Sequence, residues 1–170
     1  MRHIISILLQ NEAGALARVS GMFSARGYNI DSLTVAPTHD PTVSRLTVVT
    51  SGSDAVIDQI IKQSRKLIDV VEVTDVTGRE HLESELLLIK VQVTAKSARQ
   101  VVELIRRYRG QILDETDTTR TVQVTGSGLE VSDFIKEASG IAQVLEVVRS
   151  GVVTIEPGHA VLGSNVERAA

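Results

Sequence analysis

The residues best placed to bind a small charged ligand lie in the loop after the first strand-like run, where Asn11 and Gly14 precede a helical pattern. The free N–H groups and the positive dipole end of a helix N-terminus attract anions. Gly14 has no Cβ, so a ligand can approach the backbone closely, and Asn11 offers both an amide donor and a carbonyl acceptor. A free amino acid requires this combination, because its carboxylate needs N–H donors and its ammonium group needs oxygen atoms.

Further candidates for the same site are a second asparagine, Asn29, and two apolar residues, Leu16 and Ile30, which could form a wall against a side chain. Asparagine is also common at helix caps and in turns. From spacing alone, a cap role for Asn11 and a turn role for Asn29 are favoured over ligand binding.

The sequence contains no recognisable catalytic constellation. Its four histidines lie at positions 3, 39, 81 and 159 and form no triad or paired metal-ligand motif. His81, Glu83 and Glu85 could be interpreted as metal ligands, but solvated charges in a polar segment are the stronger interpretation. The absence of cysteine excludes disulfides, thiolate catalysis and Cys-ligated metal sites. We therefore expect no catalytic, cofactor-binding or metal-binding residues in this chain.

The composition of the 170 residues also limits the partners. Hydrophobic residues make up 42% and aromatic residues 2%, so the core must be aliphatic, which favours β-strands packed on helices. The formal net charge of −3 and the lack of a basic stripe argue against nucleic acid. No apolar run approaches the ~20 residues of a membrane span, and the first residues do not resemble a signal peptide. We expect a cytoplasmic protein without a nucleic-acid or membrane partner.

The elements that position the candidate loop form a βαββαβ order, which we call the first module. A buried strand over His3–Leu9 is followed by a helix that ends at Gly27 and by a second strand over Ile30–Val35. A further strand and helix follow, and Val70–Val76 closes the unit.

The same order recurs in the second half, the second module. Its first helix ends at Arg109-Gly110, its second begins with the capping box Ser127-x-x-Glu130, and its last strand covers Val144–Ile155. We predict an α+β fold of two tandem ferredoxin-like βαββαβ modules. The predicted boundaries are 1–77 for the first module, 78–84 for a linker, 85–156 for the second module and 157–170 for a tail.

The second module lacks the candidate ligand residues. Its corresponding corner reads Ala95-Lys96-Ser97-Ala98, without Asn or Gly, and Ile112 occupies the position that matches Asn29. We expect ligand binding in the first module only.

Two longer strings resemble a known family. The run Ile5–Val19, ISILLQNEAGALARV, resembles the opening of an ACT domain, an amino-acid-binding regulatory domain. Together with RGYNIDSLTVAP over Arg26–Pro37, it resembles the small, regulatory subunits of bacterial acetolactate (acetohydroxyacid) synthase. Ser44–Thr47 and Arg149–Val153 fit the same family, so the resemblance extends over nearly the whole chain up to Pro157.

The resemblance implies that the first module is an ACT domain, that two chains form a homodimer through these domains, and that an effector binds between them. The residues that match the family's effector loop and the facing residues of the other protomer are Asn11, Ala13, Gly14, Ala15 and Leu16, with Asn29 and Ile30.

The resemblance further implies a non-catalytic subunit that activates a large catalytic subunit and confers feedback inhibition by L-valine in branched-chain amino acid biosynthesis. Thiamine diphosphate, Mg²⁺ and FAD are expected in that partner, a thiamine-diphosphate-dependent transferase, and no cofactor in this chain. The effector comes from the resemblance: an apolar pocket separates valine, leucine and isoleucine by only ~1–3 kcal/mol, so the residues leave that choice open.

The alternative function is that of a ligand-sensing module in a transcriptional or metal-responsive regulator, since tandem ferredoxin-like units also occur there. The second module resembles the ligand domain of nickel-responsive regulators in element order. However, no histidine lies between His81 and His159, and no DNA-reading helix or ribbon is evident.

Overall fold

The structure, a computed structural model, describes residues 1–162. The last eight residues of the predicted tail, 163–170, lie outside the described residues. No helix among the described residues is long and apolar enough to cross a membrane.

Six elements form the first module, in the order β1 (Arg2–Gln10), α1 (Ala15–Ala25), β2 (Ser32–Pro37), β3 (Val43–Ser51), α2 (Asp54–Ser64) and β4 (Val70–Asp75). The strands form an antiparallel sheet in the order β2-β3-β1-β4. The central strand β1 pairs with β3 over its whole length, from Arg2 opposite Ser51 to Gln10 opposite Val43.

The second module repeats this order with β5 (Leu82–Gln92), α3 (Ala98–Arg107), β6 (Gln111–Glu115), β7 (Thr119–Gly126), α4 (Gly128–Ile141) and β8 (Gln143–Arg149), and β9 (Val153–Ile155) follows. Its strands run in the order β6-β7-β5-β8. The prediction of an α+β fold with two βαββαβ modules is therefore confirmed.

Each module has its own core, largely aliphatic with one buried phenylalanine, beneath its two helices. The first core contains Ile5, Ile7 and Leu9 of β1, and the second contains Leu87, Ile89 and Val91 of β5. These residues alternate along their strands, so one face of each sheet supports the helices. The core-facing residues of α1 are Ala15, Val19, Met22 and Phe23.

The second strand of the first module starts later than predicted, at Ser32 rather than at Ile30. The residues before it belong to neither a helix nor a strand: the Asn29 side chain donates a hydrogen bond to the Asp31 carboxylate at 2.6 Å, and the Asp31 N–H donates to the Val49 carbonyl oxygen at 2.8 Å. The turn lies just before them, at Arg26 and Gly27, so the turn role that spacing favoured for Asn29 stays a prediction.

The predicted final strand is divided into β8 and β9. Between them Gly151 has a φ of 81°, a backbone conformation that interrupts an extended strand. The end of α3 also differs from the expectation, because Arg109 rather than Gly110 takes the left-handed conformation, with a φ of 54°. The capping box at the start of α4 is confirmed, with Ser127 and Glu130 capping each other's backbone N–H groups.

The chain divides into two compact units at boundaries that differ from the predicted ones. The first unit is Met1–Leu82 with the described residues from Thr154 onward, and the second is Glu83–Val153. The linker is shorter than predicted, because β5 already begins at Leu82. Thr154 packs on the first sheet, since its carbonyl oxygen accepts a hydrogen bond from Arg45 Nη2 at 2.8 Å.

Candidate functional site

The loop between β1 and α1 is held from two sides. The Gln10 N–H donates to the carbonyl oxygen of Asp69 at 2.8 Å, and the Asn11 N–H donates to the carbonyl oxygen of Thr42 at 2.7 Å. The Asn11 side-chain amide adds a hydrogen bond to the Pro41 carbonyl oxygen at 2.8 Å. Asn11 therefore fastens the loop to the turn between β2 and β3, and the alternative that it caps α1 is wrong.

Gly14 occupies the N-cap position of α1. Its φ of 90° and ψ of −12° lie in the left-handed region, which glycine adopts without strain. The N-cap residue contributes no side-chain hydrogen bond to α1, and the Ala15 N–H donates to the Glu12 carbonyl oxygen at 3.2 Å. The N–H groups of Leu16 and Ala17 are therefore the ones in the first turn that could meet an anion. Asn11, Ala13 and Gly14 are exposed to solvent around this point.

Two of the predicted loop residues face opposite ways. The Ala15 side chain is in the core at 1% exposure, whereas Leu16 is 37% exposed. The apolar stripe of α1 therefore includes Ala15 and not Leu16. An exposed Leu16 beside an uncapped helix start is suited to contact an apolar ligand side chain.

Asn29 and Ile30 lie at the other end of α1. Ile30 is half-buried against the first core, and the Asn29 carbonyl oxygen accepts a hydrogen bond from the Thr50 hydroxyl at 2.6 Å. The 11 residues of α1 span about 16 Å at 1.5 Å per residue. Within one chain the structure brings Asn11, Gly14 and Leu16 together, but it does not bring Asn29 and Ile30 to them.

An ion pair that sequence reasoning missed lies next to the loop. Arg18 donates hydrogen bonds to both carboxylate oxygens of Asp69, from Nε and, at 2.8 Å, from Nη2. Asp69 is 3% exposed, and its hydrogen bonds from Arg18 lower its pKa below the ordinary value despite the opposing effect of burial. The one signal in the sequence was the acidic Asp69 between the apolar residues Ile68 and Val70. Its partner Arg18 lies 51 positions away along the chain.

The corresponding corner of the second module is closed by its own side chains. The Ser97 hydroxyl accepts a hydrogen bond from the Thr94 N–H at 2.9 Å, and the Ser97 N–H donates to the Thr94 carbonyl oxygen at 3.1 Å. Ser97 is nearly buried, at 7% exposure. This compact turn differs from the open glycine corner of the first module.

The possible metal ligands at the start of β5 are engaged elsewhere. The Glu83 carboxylate accepts a hydrogen bond from the Gly128 N–H at 2.7 Å, and Glu85, at 3% exposure, forms a two-point ion pair with Arg149. His81 contacts the Arg79 carbonyl oxygen at 2.8 Å. Across residues 1–162, no group of three His, Cys, Asp or Glu residues is arranged to hold a metal ion.

Comparisons with known proteins cover both modules. Residues 5–72 match the family described as AHAS small subunit-like ACT domain, and residues 84–158 match the family described as small subunit of acetolactate synthase. The acetolactate synthase isozyme 3 small subunit of Escherichia coli K12 is 45% identical over 162 residues, which are 95% of this chain and 99% of that protein. The protein of the same name from Salmonella typhimurium LT2 is 46% identical over 162 residues, with the same coverage.

A solved structure also resembles the whole chain. The acetolactate synthase small subunit from Thermotoga maritima superposes with a TM-score of 0.84 at 33% sequence identity, covering 94% of this chain and 99% of that one. A crystal structure of similar sequence thus has the same fold over most of this chain.

Proposed function

The chain belongs to the acetolactate synthase small-subunit family, and from this premise we propose that it is the regulatory subunit of an acetolactate synthase, activating the catalytic subunit and conferring feedback inhibition by L-valine. One observation carries the proposal: the loop residues that resemble the family's effector loop lie at an uncapped helix start with a glycine at the N-cap. The chain itself then contributes no catalytic group and no cofactor.

The proposed site suits the three parts of an amino acid. The carboxylate would bind the first-turn N–H groups of α1, where the helix dipole favours negative charge. The ammonium group would bind oxygen atoms, for which the Asn11 side-chain carbonyl is a candidate. The branched side chain would contact Leu16, which is 37% exposed in the isolated chain. Ala13, Gly14 and Ala15 complete the loop.

The site is proposed to be shared between two chains. Asn29 and Ile30 lie about one length of α1 from the loop, about 16 Å at 1.5 Å per residue, so they can reach an effector only from a second protomer. β2 forms one edge of the first sheet, beside β3, and an exposed strand edge can pair with another chain. A homodimer through side-by-side ACT domains would therefore give two effector sites.

The catalytic partner is proposed to be a large subunit that holds thiamine diphosphate, Mg²⁺ and FAD, and both subunits are proposed to work in the cytoplasm. Association would raise the activity of the large subunit, and effector binding would reverse that effect. Allosteric coupling of this kind requires a ligand that distinguishes two states of the assembly.

Titration of the full chain with L-valine, L-leucine and L-isoleucine tests the ligand assignment. The proposal expects saturable valine binding with two sites per dimer and a Kd in the ~μM–mM range of a ligand with few heavy atoms. A chain that binds none of the three amino acids, alone or with the catalytic subunit, would contradict it.

Mixed dimers test the sharing of the site. Gly14→Asp breaks the loop and Asn29→Ala breaks the facing position, so each homodimer has two damaged sites. In a heterodimer purified through two different tags, one site carries both changes and the other carries neither. The expected result is about one bound valine per heterodimer at near-normal affinity. Verified heterodimers that bind no valine would place the site within one chain.

A further inference from the structure

Arg18 lies one helical turn after Gly14, and its guanidinium group reaches back over the glycine. The three atoms nearest to the position that a Cβ would take on Gly14 all belong to this group: Nη1 at 3.2 Å, Cζ at 3.7 Å and Nη2 at 3.8 Å. Side chains on a helix lean toward its N-terminus, which allows this approach. A permanent positive charge is thus added at the point where α1 begins.

Asp69 fixes the orientation of this guanidinium. Its two carboxylate oxygens accept the hydrogen bonds from Nε and Nη2, and a two-point contact of this kind sets the plane of the group. These bonds leave the third nitrogen, Nη1, directed toward Gly14. The Asp69 carbonyl oxygen also accepts the Gln10 N–H at 2.8 Å, so one residue holds both the loop and the arginine.

We propose that Arg18, positioned by Asp69, binds the carboxylate of the effector through Nη1 and so selects ligands with a free carboxylate. This inference rests on the proposed function, because it assumes that the effector binds at the Gly14 loop. Arg18 would then act together with the start of α1, where the helix dipole also favours an anion.

The exposure of the two partners fits a ligand contact. Asp69 is 3% exposed, whereas the Arg18 side chain is 48% exposed, so the arginine combines a buried partner with a face open to solvent. Both groups are charged at neutral pH, since their contact lowers the pKa of Asp69 and raises that of Arg18. A ligand carboxylate would meet a guanidinium that is already in place, and this lowers the entropy cost of binding.

The test compares L-valine with L-valinamide, which keeps the ammonium group and the side chain but lacks the carboxylate. Both ligands are titrated into the full-length chain and into Arg18→Gln, with calorimetry for valine and ligand-detected NMR for the weaker ligand. We expect Arg18→Gln to weaken valine binding by roughly 10- to 100-fold, as for loss of a charged hydrogen bond, and to change valinamide binding by less than about twofold.

Two further variants keep the result interpretable. Arg18→Gln leaves the buried Asp69 carboxylate without its partner, so the double variant Arg18→Gln/Asp69→Asn replaces the ion pair by a neutral hydrogen-bonding pair and should show the same selective loss. Arg79→Gln is the matched control, since Arg79 has a 3.0 Å ion pair with Glu156 in the same unit. This control should bind both ligands like the unmodified chain.

The outcomes separate this inference from the function on which it rests. If the unmodified chain binds no branched-chain amino acid, both the proposed function and the role of Arg18 are wrong. Unmodified chain that binds valine while the double variant binds it equally well would overturn the role of Arg18 alone. Equal losses for valine and valinamide would show that Arg18 only supports the fold of the loop, which also contradicts the inference.

Discussion

The hydroxyl oxygens of Ser6 and Thr154 lie 3.4 Å apart, although 148 positions separate the two residues along the chain. Arg45 joins this contact through Nη2, which lies 3.3 Å from the Ser6 hydroxyl and donates to the Thr154 carbonyl oxygen at 2.8 Å. Arg45 is partly buried, and this burial lowers its pKa. The segment that begins at Thr154 therefore packs on the face of the first sheet opposite its helices, where Ser6 and Arg45 provide polar contacts.

Truncation tests the role of this segment. Deletion of residues 154–170 should lower the free energy of unfolding of the first unit by about 1–3 kcal/mol, because Arg45 and Ser6 lose partners. Deletion of 157–170 keeps Thr154 and should cost less. Urea unfolding monitored on both truncated chains gives the comparison, and equal stability of the two would contradict the assignment of Thr154 to the first unit.

Arg109 offers a stability prediction. Its φ of 54° occurs directly after the C-cap of α3, where the first module has Gly27 with a φ of 67° after α1. Left-handed backbone costs a residue with a Cβ roughly 1–2 kcal/mol, partly offset by the greater flexibility of unfolded glycine. Arg109→Gly should therefore raise the free energy of unfolding by about 0.5–1 kcal/mol.

The reciprocal change is the control. Among residues 1–162, apart from Gly27 and its two chain neighbours, no heavy atom lies within 4 Å of a Cβ placed on Gly27, so Gly27→Ala tests backbone strain without a clash. It should be destabilising by about 1 kcal/mol. Thermal unfolding of both variants measures the effects, and a destabilised Arg109→Gly variant would mean that the arginine side chain has a compensating contact.

Because Asp69 is paired with Arg18, we expect the free energy of unfolding to depend on pH in the acid range. Its folded-state pKa is lowered, mainly by hydrogen bonds from Arg18. The unfolded chain, whose aspartates have a pKa of about 3.9, therefore takes up the proton first as the pH falls. The contribution of Asp69 to stability is present above about pH 4 and is lost as the pH falls through the folded-state pKa.

The measurement for this prediction is urea unfolding from neutral pH down to the lowest pH at which the chain still folds. The stability difference between the unmodified chain and Asp69→Asn should be largest at neutral pH and should shrink below about pH 4. Asp58→Asn, an exposed change in α2, is the control for altered net charge. A difference for Asp69→Asn that is constant across the range would contradict the prediction.

Gly14→Asp should separate inhibition from activation. A Cβ at position 14 would lie 3.2 Å from Arg18 Nη1, and the φ of 90° at this position is strained for any residue other than glycine. The carboxylate of the new aspartate would occupy the proposed anion site. Valine inhibition should be lost, while activation of the catalytic subunit largely survives because Gly14 is exposed and lies outside the core. Gly78→Asp adds the same charge where no atom lies within 4 Å and should leave inhibition intact. Steady-state inhibition curves distinguish these outcomes, and loss of both activities in Gly14→Asp would show that the loop contacts the partner or supports the fold.

The fold was predictable because its signals are local. The Ser127–Glu130 capping box depends on residues three positions apart, and the continuous apolar run His3–Leu9 specifies a buried strand. The Arg18–Asp69 pair and the Arg45–Thr154 contact were not predictable, since their partners lie 51 and 109 positions apart along the chain and only the fold brings them together. The left-handed Arg109 was missed because the adjacent glycine was the better candidate by residue type. Gly110 is instead tightly packed: a Cβ placed on it would lie 3.1 Å from the Gln123 carbonyl oxygen.

Reconstitution with the large catalytic subunit tests whether this chain is a valine-responsive regulatory subunit. Acetolactate formation by the catalytic subunit is measured alone, with saturating small subunit, and with small subunit plus increasing L-valine. We expect that the small subunit raises the rate and that valine then lowers it along a saturating curve. An unchanged rate on adding the small subunit, or a raised rate that no branched-chain amino acid lowers, would contradict it.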